Sequence, residues 1–229
     1  MKILILDTET TGIDPETDEV IEVGAILYHV DAQVRLASVS TLLYCDSNPA
    51  EAVNHIPATA TQDGAGAFAA DAIALINDMA DMADAATAYN AAFDKPFLQK
   101  IGIDPTTWFC SKDDIIWPRS TRQGANLVVT ALDHGIPILS AHRALADCGL
   151  LADLFSRLEN PVQVVEQAIS RQQSPMATAI ALVGYDNRHE AKSAGFHWNG
   201  SAKRWEKNCR LCDTDSLSFL PFSVEILPC

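Results

Sequence analysis

Asp7 and Glu9 stand two residues apart just beyond the apolar run at residues 2–6. Alternate side chains of an extended strand share a face, so the two carboxylates project together. Like charges so placed repel each other unless a cation neutralises them, and hard carboxylate oxygens suit Mg²⁺ or Mn²⁺. Two more acids carry similar potential: Asp94, at the expected start of a helix, and Asp147, five residues after His142 on what reads as one helix. Imidazole is the side chain that exchanges a proton near neutral pH. Each residue also has an ordinary structural reading. Asp7 and Glu9 suit a turn, Asp94 a helix cap, Asp147 a solvated helix face and His142 a polar neighbour.

The elements that would position these groups follow from apolar periodicity. Residues 2–6 read as a buried strand ending in the polar turn Asp7 to Gly12, and residues 20–28 and 34–43 as two further strands of an antiparallel meander. Phe68, Ile73, Ile76, Ala80 and Ala83 recur at helical spacing within residues 67–85. A short strand is expected at 87–89, a helix from Asp94 to Lys100, another around Leu127 to Leu132 ended by Gly135, and a last one over 141–158. Three strands followed by helices alternating with strands indicate an α/β fold, a mixed sheet flanked by helices. After Asn160-Pro161 come a helix over 162–173, a strand over 177–185, a short helix over 188–194, strands at 196–198 and 203–206, and an apolar stretch over 217–227 as strand or extended segment. The expected organisation is a first domain over residues 1–160 and a small α+β module over 161–229.

Charge divides the chain in the same way. The formal net charge is −14, and residues 1–160 hold 9 basic and 23 acidic side chains against 7 and 7 in residues 161–229. Taken whole, this speaks against a nonspecific binder held to nucleic acid by bulk positive charge. Apolar residues make up 48% of the chain, an ordinary globular composition that argues against disorder. No apolar run approaches the roughly 20 residues that span a bilayer, and the N-terminus meets an acid too early for a signal peptide, so a cytoplasmic location without membrane partners is expected. Six scattered cysteines suit reduced thiols better than a disulfide frame. Cys209 and Cys212 supply half of a zinc site that His189 and His197 could complete, with loop cysteines the plainer reading.

Three strings together resemble the DEDDh exonucleases of the DnaQ-like superfamily: LDTETTG from Leu6 to Gly12, YNAAFDKPFL from Tyr89 to Leu98, and HRALADC from His142 to Cys148. Within that superfamily, FCSKDDIIWP followed by SAHRALADC is similar to exonuclease X and the proofreading type. The resemblance covers residues 1–158, with Tyr89 standing where the family often has His. It implies a ribonuclease H-like mixed sheet and a metal-dependent 3′–5′ exonuclease that releases 5′-mononucleotides from single-stranded DNA or frayed 3′ ends. By resemblance, Asp7, Glu9, Asp94 and Asp147 hold two Mg²⁺ or Mn²⁺ ions and His142 takes the proton from the attacking water. Thr8, Thr10, Thr11 and Gly12 would meet the terminal sugar, His55 and Ile56 would stack on the terminal base, and Asn90 would orient the loop beside the metals. Thr10 and Thr11 serve equally as turn formers. RNA 3′ ends remain an alternative substrate, and a polymerase- or repair-complex subunit acting through a partner is an alternative role.

The segment from Tyr185 to Cys212 reverses the charge, with six basic side chains against three acidic. Tyr185, Phe196, Trp198 and Trp205 are interleaved with these bases. Bases of a single strand stack on aromatic faces while Lys and Arg follow phosphates, which makes Lys192, Trp198, Lys203, Arg204 and Lys207 candidate nucleic-acid contacts. A module this small also needs aromatics for its core, and Phe196 and Trp205 are the ones expected to be buried.

Overall fold

The fold is seen in a computed structural model that describes residues 1–63, 66–120, 124–139 and 142–228. It divides into two compact units, Met1–Gln172 and Gln173–Cys229. The first is built on a five-stranded sheet of order β3-β2-β1-β4-β5, formed by β1 (Lys2–Thr10), β2 (Val20–His29), β3 (Val34–Leu42), β4 (Ala85–Ala88) and β5 (Trp108–Cys110). The first three strands pair antiparallel, and β1–β4 and β4–β5 pair parallel. In chain order the helices of this unit are α1 (Glu51–Asn54), α2 (Ala58–Gln62), α3 (Gly66–Asp81), α4 (Ala91–Lys100), α5 (Leu127–Asp133), α6 (Ala144–Phe155) and α7 (Pro161–Gln173).

The central strand sorts its residues between two cores. Ile3 and Ile5 lie in one cluster with Cys148, Leu151 and Phe155 of α6 and Val165 and Ala168 of α7. Leu4 and Leu6 lie in the other with Ile76 and Met79 of α3 and Leu98 of α4. Strand alternation therefore sends Asp7 and Glu9 toward the α6 face and Thr8 toward the α4 face. Because Val165 and Ala168 are fully buried in the first core, α7 belongs to the first unit, and the division falls one helix later than residue 160.

Several local expectations change. The turn expected to begin at Asp7 starts only after Thr10, because Asp7, Thr8 and Glu9 continue the ladder opposite Gly24, Val23 and Glu22, and the register slips only between Glu9 and Thr10. Phe68 is 70% exposed rather than inward, and α3 ends at Asp81 so that β4 can begin at Ala85. Asp94 is the fourth residue of α4, whose N-cap is Asn90, so it caps nothing. His142 precedes α6 with a left-handed φ of 61° and does not share a helix with Asp147; residue 141, the expected helix start, lies outside the described residues. The short β5 was not anticipated, its three residues being too few to show a period.

The second unit is an antiparallel sheet of order β7-β8-β6-β9, from β6 (Met176–Leu182), β7 (His197–Asn199), β8 (Arg204–Arg210) and β9 (Ser223–Pro228). One short helix, α8 (Arg188–Ser193), and two 3-10 segments, Tyr185–Asn187 and Leu211–Phe219, complete it; the latter takes in residues 217–219, where a strand or extended chain was expected, and β9 occupies the rest of that stretch from Ser223. Ala179, Ala181, Ala191 and Phe196 form its buried core. No helix is long and apolar enough to cross a membrane among the described residues.

Gly24 sets how closely α6 approaches the sheet, since a Cβ there would lie 2.5 Å from the main chain of Ala144 and Leu145. Gly24→Ala should therefore push the head of α6 away and cost about 1–3 kcal/mol, the usual penalty of overpacking. Urea denaturation of the full chain reads this, and an unchanged midpoint would contradict the close approach.

Candidate active site

The site is assembled where the end of β1 meets the head of α6. One carboxylate oxygen from each of Asp7, Glu9 and Asp147 lies within 4.8 Å of the others. No other group of three or more His, Cys, Asp or Glu side chains among the described residues is close enough to hold one ion, which leaves Cys209 and Cys212 outside any metal cluster there. Asp147 Oδ1 is buried with no hydrogen-bond partner. Three clustered carboxylates, one with a buried oxygen that lacks a hydrogen-bond partner, are the donor chemistry a hard divalent cation requires. The residues fit such an ion.

Asp94 reaches the site from the other side of the strand. Its Oδ1 accepts the main-chain N–H of Thr8 at 3.0 Å and the Thr8 hydroxyl at 2.8 Å. These bonds bind α4 to β1 and fix the carboxylate against Asp7, although Asp94 is not one of the three that converge. His142 is exposed at the turn before α6, and its main chain hydrogen-bonds the Asp147 carboxylate.

Crowding of these acids shows in their proton affinities. Burial, followed by the charges of Asp94, Asp147, Glu9 and Glu22, holds Asp7 well above the usual carboxylate range. Burial and then Asp147, Glu22 and Asp94 push Glu9 up to about 8, with Arg143 opposing. Burial likewise raises Asp94, against the two Thr8 bonds, and Asp147, against His142. A site that raises its own carboxylates in this way is relieved by positive charge.

Two residues that sequence reasoning missed hold this arrangement together. Glu22, 3% exposed in the middle of β2, accepts both prongs of the Arg143 guanidinium at 2.9 Å. It also accepts the Ala144 N–H at 3.0 Å and the Ser40 hydroxyl at 3.2 Å. Glu22 thereby ties the first residue of α6 to the strand that carries the partner of Glu9. The signal was present: a lone acid in the apolar run VIEVGAILY, and an Arg between His142 and Asp147.

The residues expected around the substrate separate into two groups. Among the Thr side chains, Thr8 is committed to Asp94, the Thr10 hydroxyl to the Gly12 carbonyl and the Thr11 hydroxyl to the Glu19 N–H; the last two are turn formers. Gly12 leaves room for the Asp18 carboxylate, which a Cβ would meet at 2.3 Å. Ile56 is 2% exposed in a small cluster with Ile21 and Cys45, so its side chain is a core one with no face for a base, contrary to expectation. His55 is exposed, in the left-handed conformation that ends α1, and Asn90 is exposed with no side-chain capping bond. Tyr89 is buried, its hydroxyl bonded to the Ala125 carbonyl at 2.8 Å and to Thr130 at 2.6 Å, which anchors the loop ahead of α5. In the second unit, Lys203 and Trp198 are exposed, Arg204 pairs with Glu206 at 2.8 Å, and Lys192 lies exposed in the last turn of α8. Lys207 turns its Nζ to the Ala194 carbonyl at 3.4 Å, closing α8 rather than facing outward.

Removing the Glu22 carboxylate leaves the Ala144 N–H and the Arg143 guanidinium without their acceptor. Glu22→Ala should cost about 1–3 kcal/mol in urea denaturation, the usual cost of an unmade buried hydrogen bond, with Glu22→Gln losing less because one acceptor oxygen remains. Equal stability of Glu22→Ala and the parent would show that the anchor is dispensable.

Comparison with known proteins bears on this site. Residues 4–104 match the family model described as Exonuclease, RNase_T, and residues 178–227 match a domain of unknown function, DUF8626. No curated protein matches the sequence. Among solved structures, exonuclease X in complex with 5′ overhanging duplex DNA is similar at TM-score 0.58 and 21% identity, over 73% of this chain and 98% of that one. The zinc-bound E. coli ExoI–ssDNA complex is similar at 0.60 and 17%, over 78% of this chain and 47% of that one. The nuclease domain of 3′hExo, a DEDDh family member bound to rAMP, is similar at 0.56 and 15%, over 73% and 93%. At such identities the structures establish a shared ribonuclease H-like fold, and the match to the Exonuclease family model covers the part of the first unit that runs from β1 to α4.

Proposed function

We propose that the first unit removes nucleotides one at a time from the 3′ ends of single-stranded DNA or frayed DNA, releasing 5′-mononucleotides with the help of two Mg²⁺ or Mn²⁺ ions. The observation that carries this reading is the convergence of Asp7, Glu9 and Asp147, whose carboxylate oxygens lie within 4.8 Å of one another. Asp7, Glu9, Asp147 and Asp94 would hold the ions. Bound divalent ions supply positive charge to the phosphate and acidify water.

The remaining roles belong to the chain's own side chains. Thr8 positions Asp94 through two hydrogen bonds, and Glu22 positions Asp147 by fixing the head of α6. His142, exposed in the turn before the helix of Asp147, would accept the proton of an attacking water. His55 and Asn90, both exposed, are the side chains left to meet the terminal nucleotide. The preference for DNA is supported by similar structures that hold DNA; the rAMP bound to another similar structure makes RNA the competing substrate.

Asp7→Ala and His142→Ala should each abolish Mg²⁺-dependent shortening of a 5′-labelled DNA oligonucleotide while leaving the fold intact by circular dichroism. Full activity of Asp7→Ala would refute the site. Matched RNA, shortened faster than DNA, would overturn the choice of sugar.

Stability should report the same cluster. The folded chain holds the Glu9 proton more tightly than the unfolded chain, with a pKa near 8 against 4.5. Its contribution is therefore fully present below pH 4.5 and lost as pH rises through about 8. In EDTA, the melting temperature should fall more steeply over that window for the parent than for Glu9→Gln, and Mg²⁺ should flatten the parent's slope. Identical slopes with and without Mg²⁺ would argue against an ion at this cluster.

A further inference from the structure

Trp198 and Trp205 stand directly opposite each other on β7 and β8, their ring centroids 5.9 Å apart. They sit beside the chain that leaves β6 through Val183, Gly184 and Tyr185, and the space enclosed is a cleft of about 580 Å³. This lies within the roughly 300–1,000 Å³ range of sites that take a nucleotide-sized molecule. The core of the unit uses Phe196, 3% exposed and packed edge-on against Phe222. Trp198 and Tyr185 are not used in this way, being 53% and 78% exposed. Large aromatic faces left in water beside a formed cleft mark a binding surface.

The lining chemistry selects the occupant. Arg188, Lys203 and Arg204 border the cleft and no Asp or Glu does among the described residues. Arg188 lies flat on Tyr185, its guanidinium carbon 3.9 Å from the ring centroid, and its Nη1 donates to the Tyr185 carbonyl at 2.8 Å. The guanidinium thus covers one face of a ring that remains 78% exposed. Rigid aromatic faces ringed by cations suit a planar group carried on an anionic backbone.

We propose that this cleft binds an unstacked base of a single-stranded nucleic acid, stacked on Trp198 or Tyr185, with Lys203 and Arg204 on the flanking phosphates. The second unit then acts as a strand-holding module for the exonuclease domain, and only the choice of nucleic acid as ligand rests on the proposed function. Lys192 and Lys207 take no part in the cleft, the one lying on α8 and the other closing that helix.

The test is binding of a fluorescent oligothymidylate of roughly 20 nucleotides to the full chain in EDTA, where nothing is hydrolysed and a failure of catalysis leaves the readout untouched. Trp198→Ala and Tyr185→Ala should each raise Kd about 5- to 150-fold, the range expected for one lost base stack. Trp198→Phe, which preserves a smaller ring and the fold, should retain most of the affinity, and Phe219→Ala, an aromatic 90% exposed outside the cleft, should change nothing. An abasic strand of equal length should bind more weakly than the thymidylate. Equal binding of the abasic strand, or unchanged Kd in both alanine variants, would overturn the proposal. Competition by polyglutamate as strong as by the oligonucleotide would assign the cleft to acidic peptides and overturn it as well.

Discussion

The active site depends on the tie between Glu22 and the head of α6. Five acids crowd one end of a buried sheet, and electrostatics alone would drive α6 away, because Asp147 approaches Asp7 and Glu9 as a like charge. Glu22 opposes this with the Ala144 N–H and the two prongs of Arg143. The carboxylate is 4% exposed and the guanidinium 47%, so the pair is screened on one side and its strength comes from geometry, three directed bonds on a single carboxylate. Gly24 makes the approach sterically feasible and Glu22 holds it. Both lie on β2, which contributes no proposed ion ligand, so the strand beside the catalytic strand determines where the third carboxylate stands.

That division explains what was legible in the sequence. Asp7 and Glu9 could be placed on one face from alternation alone, since the period of a strand is local information. The separation of Thr8 and Asp94 from that face also follows once the strand is seen to continue, but the run TETTG reads as a turn because its residues favour turns in isolation. Pairing with β2 overrides that preference. The helix carrying Asp147 was legible from its apolar spacing, while its start was not: His142 and Arg143 are compatible with helix, and only the tertiary demand that Arg143 reach Glu22, 121 residues away in sequence, explains the left-handed turn at His142. Long-range polar ties leave no periodic trace. A lone Glu in an apolar strand is the trace they do leave.

The second unit was legible in composition more than in geometry. Interleaved aromatic and basic residues pointed to one surface, yet the structure distributes them among three tasks. Phe196 fills the core, Lys207 closes α8, and Trp198, Tyr185 and Arg188 line a cleft. The assignment turns on the β7–β8 register, which sets Trp198 opposite Trp205. A one-residue slip would invert the faces, and composition carries no information about register.

The two units also differ in the electrostatic problem each must solve. The first unit, with 24 acids against 10 bases in residues 1–172, would repel a polyanion except where bound divalent ions reversed the local field, and beyond roughly 8 Å physiological salt would screen even that attraction. Under the proposed function, such a domain would recognise the end of a strand and hold little of its length. A second unit that binds the strand as proposed would change the balance without any new contact at the active site, because a strand held there would be presented to the first unit at an effective concentration set by the tether. The stacking contacts of such a module can be individually weak, since they act in series with end recognition. Weak contacts also let the strand advance after each nucleotide is released, which a tightly held polyanion could not do. On this reading the acidity of the first unit and the aromatic cleft of the second belong to one design: affinity is kept away from the catalytic carboxylates so that their charge can be matched to divalent ions alone.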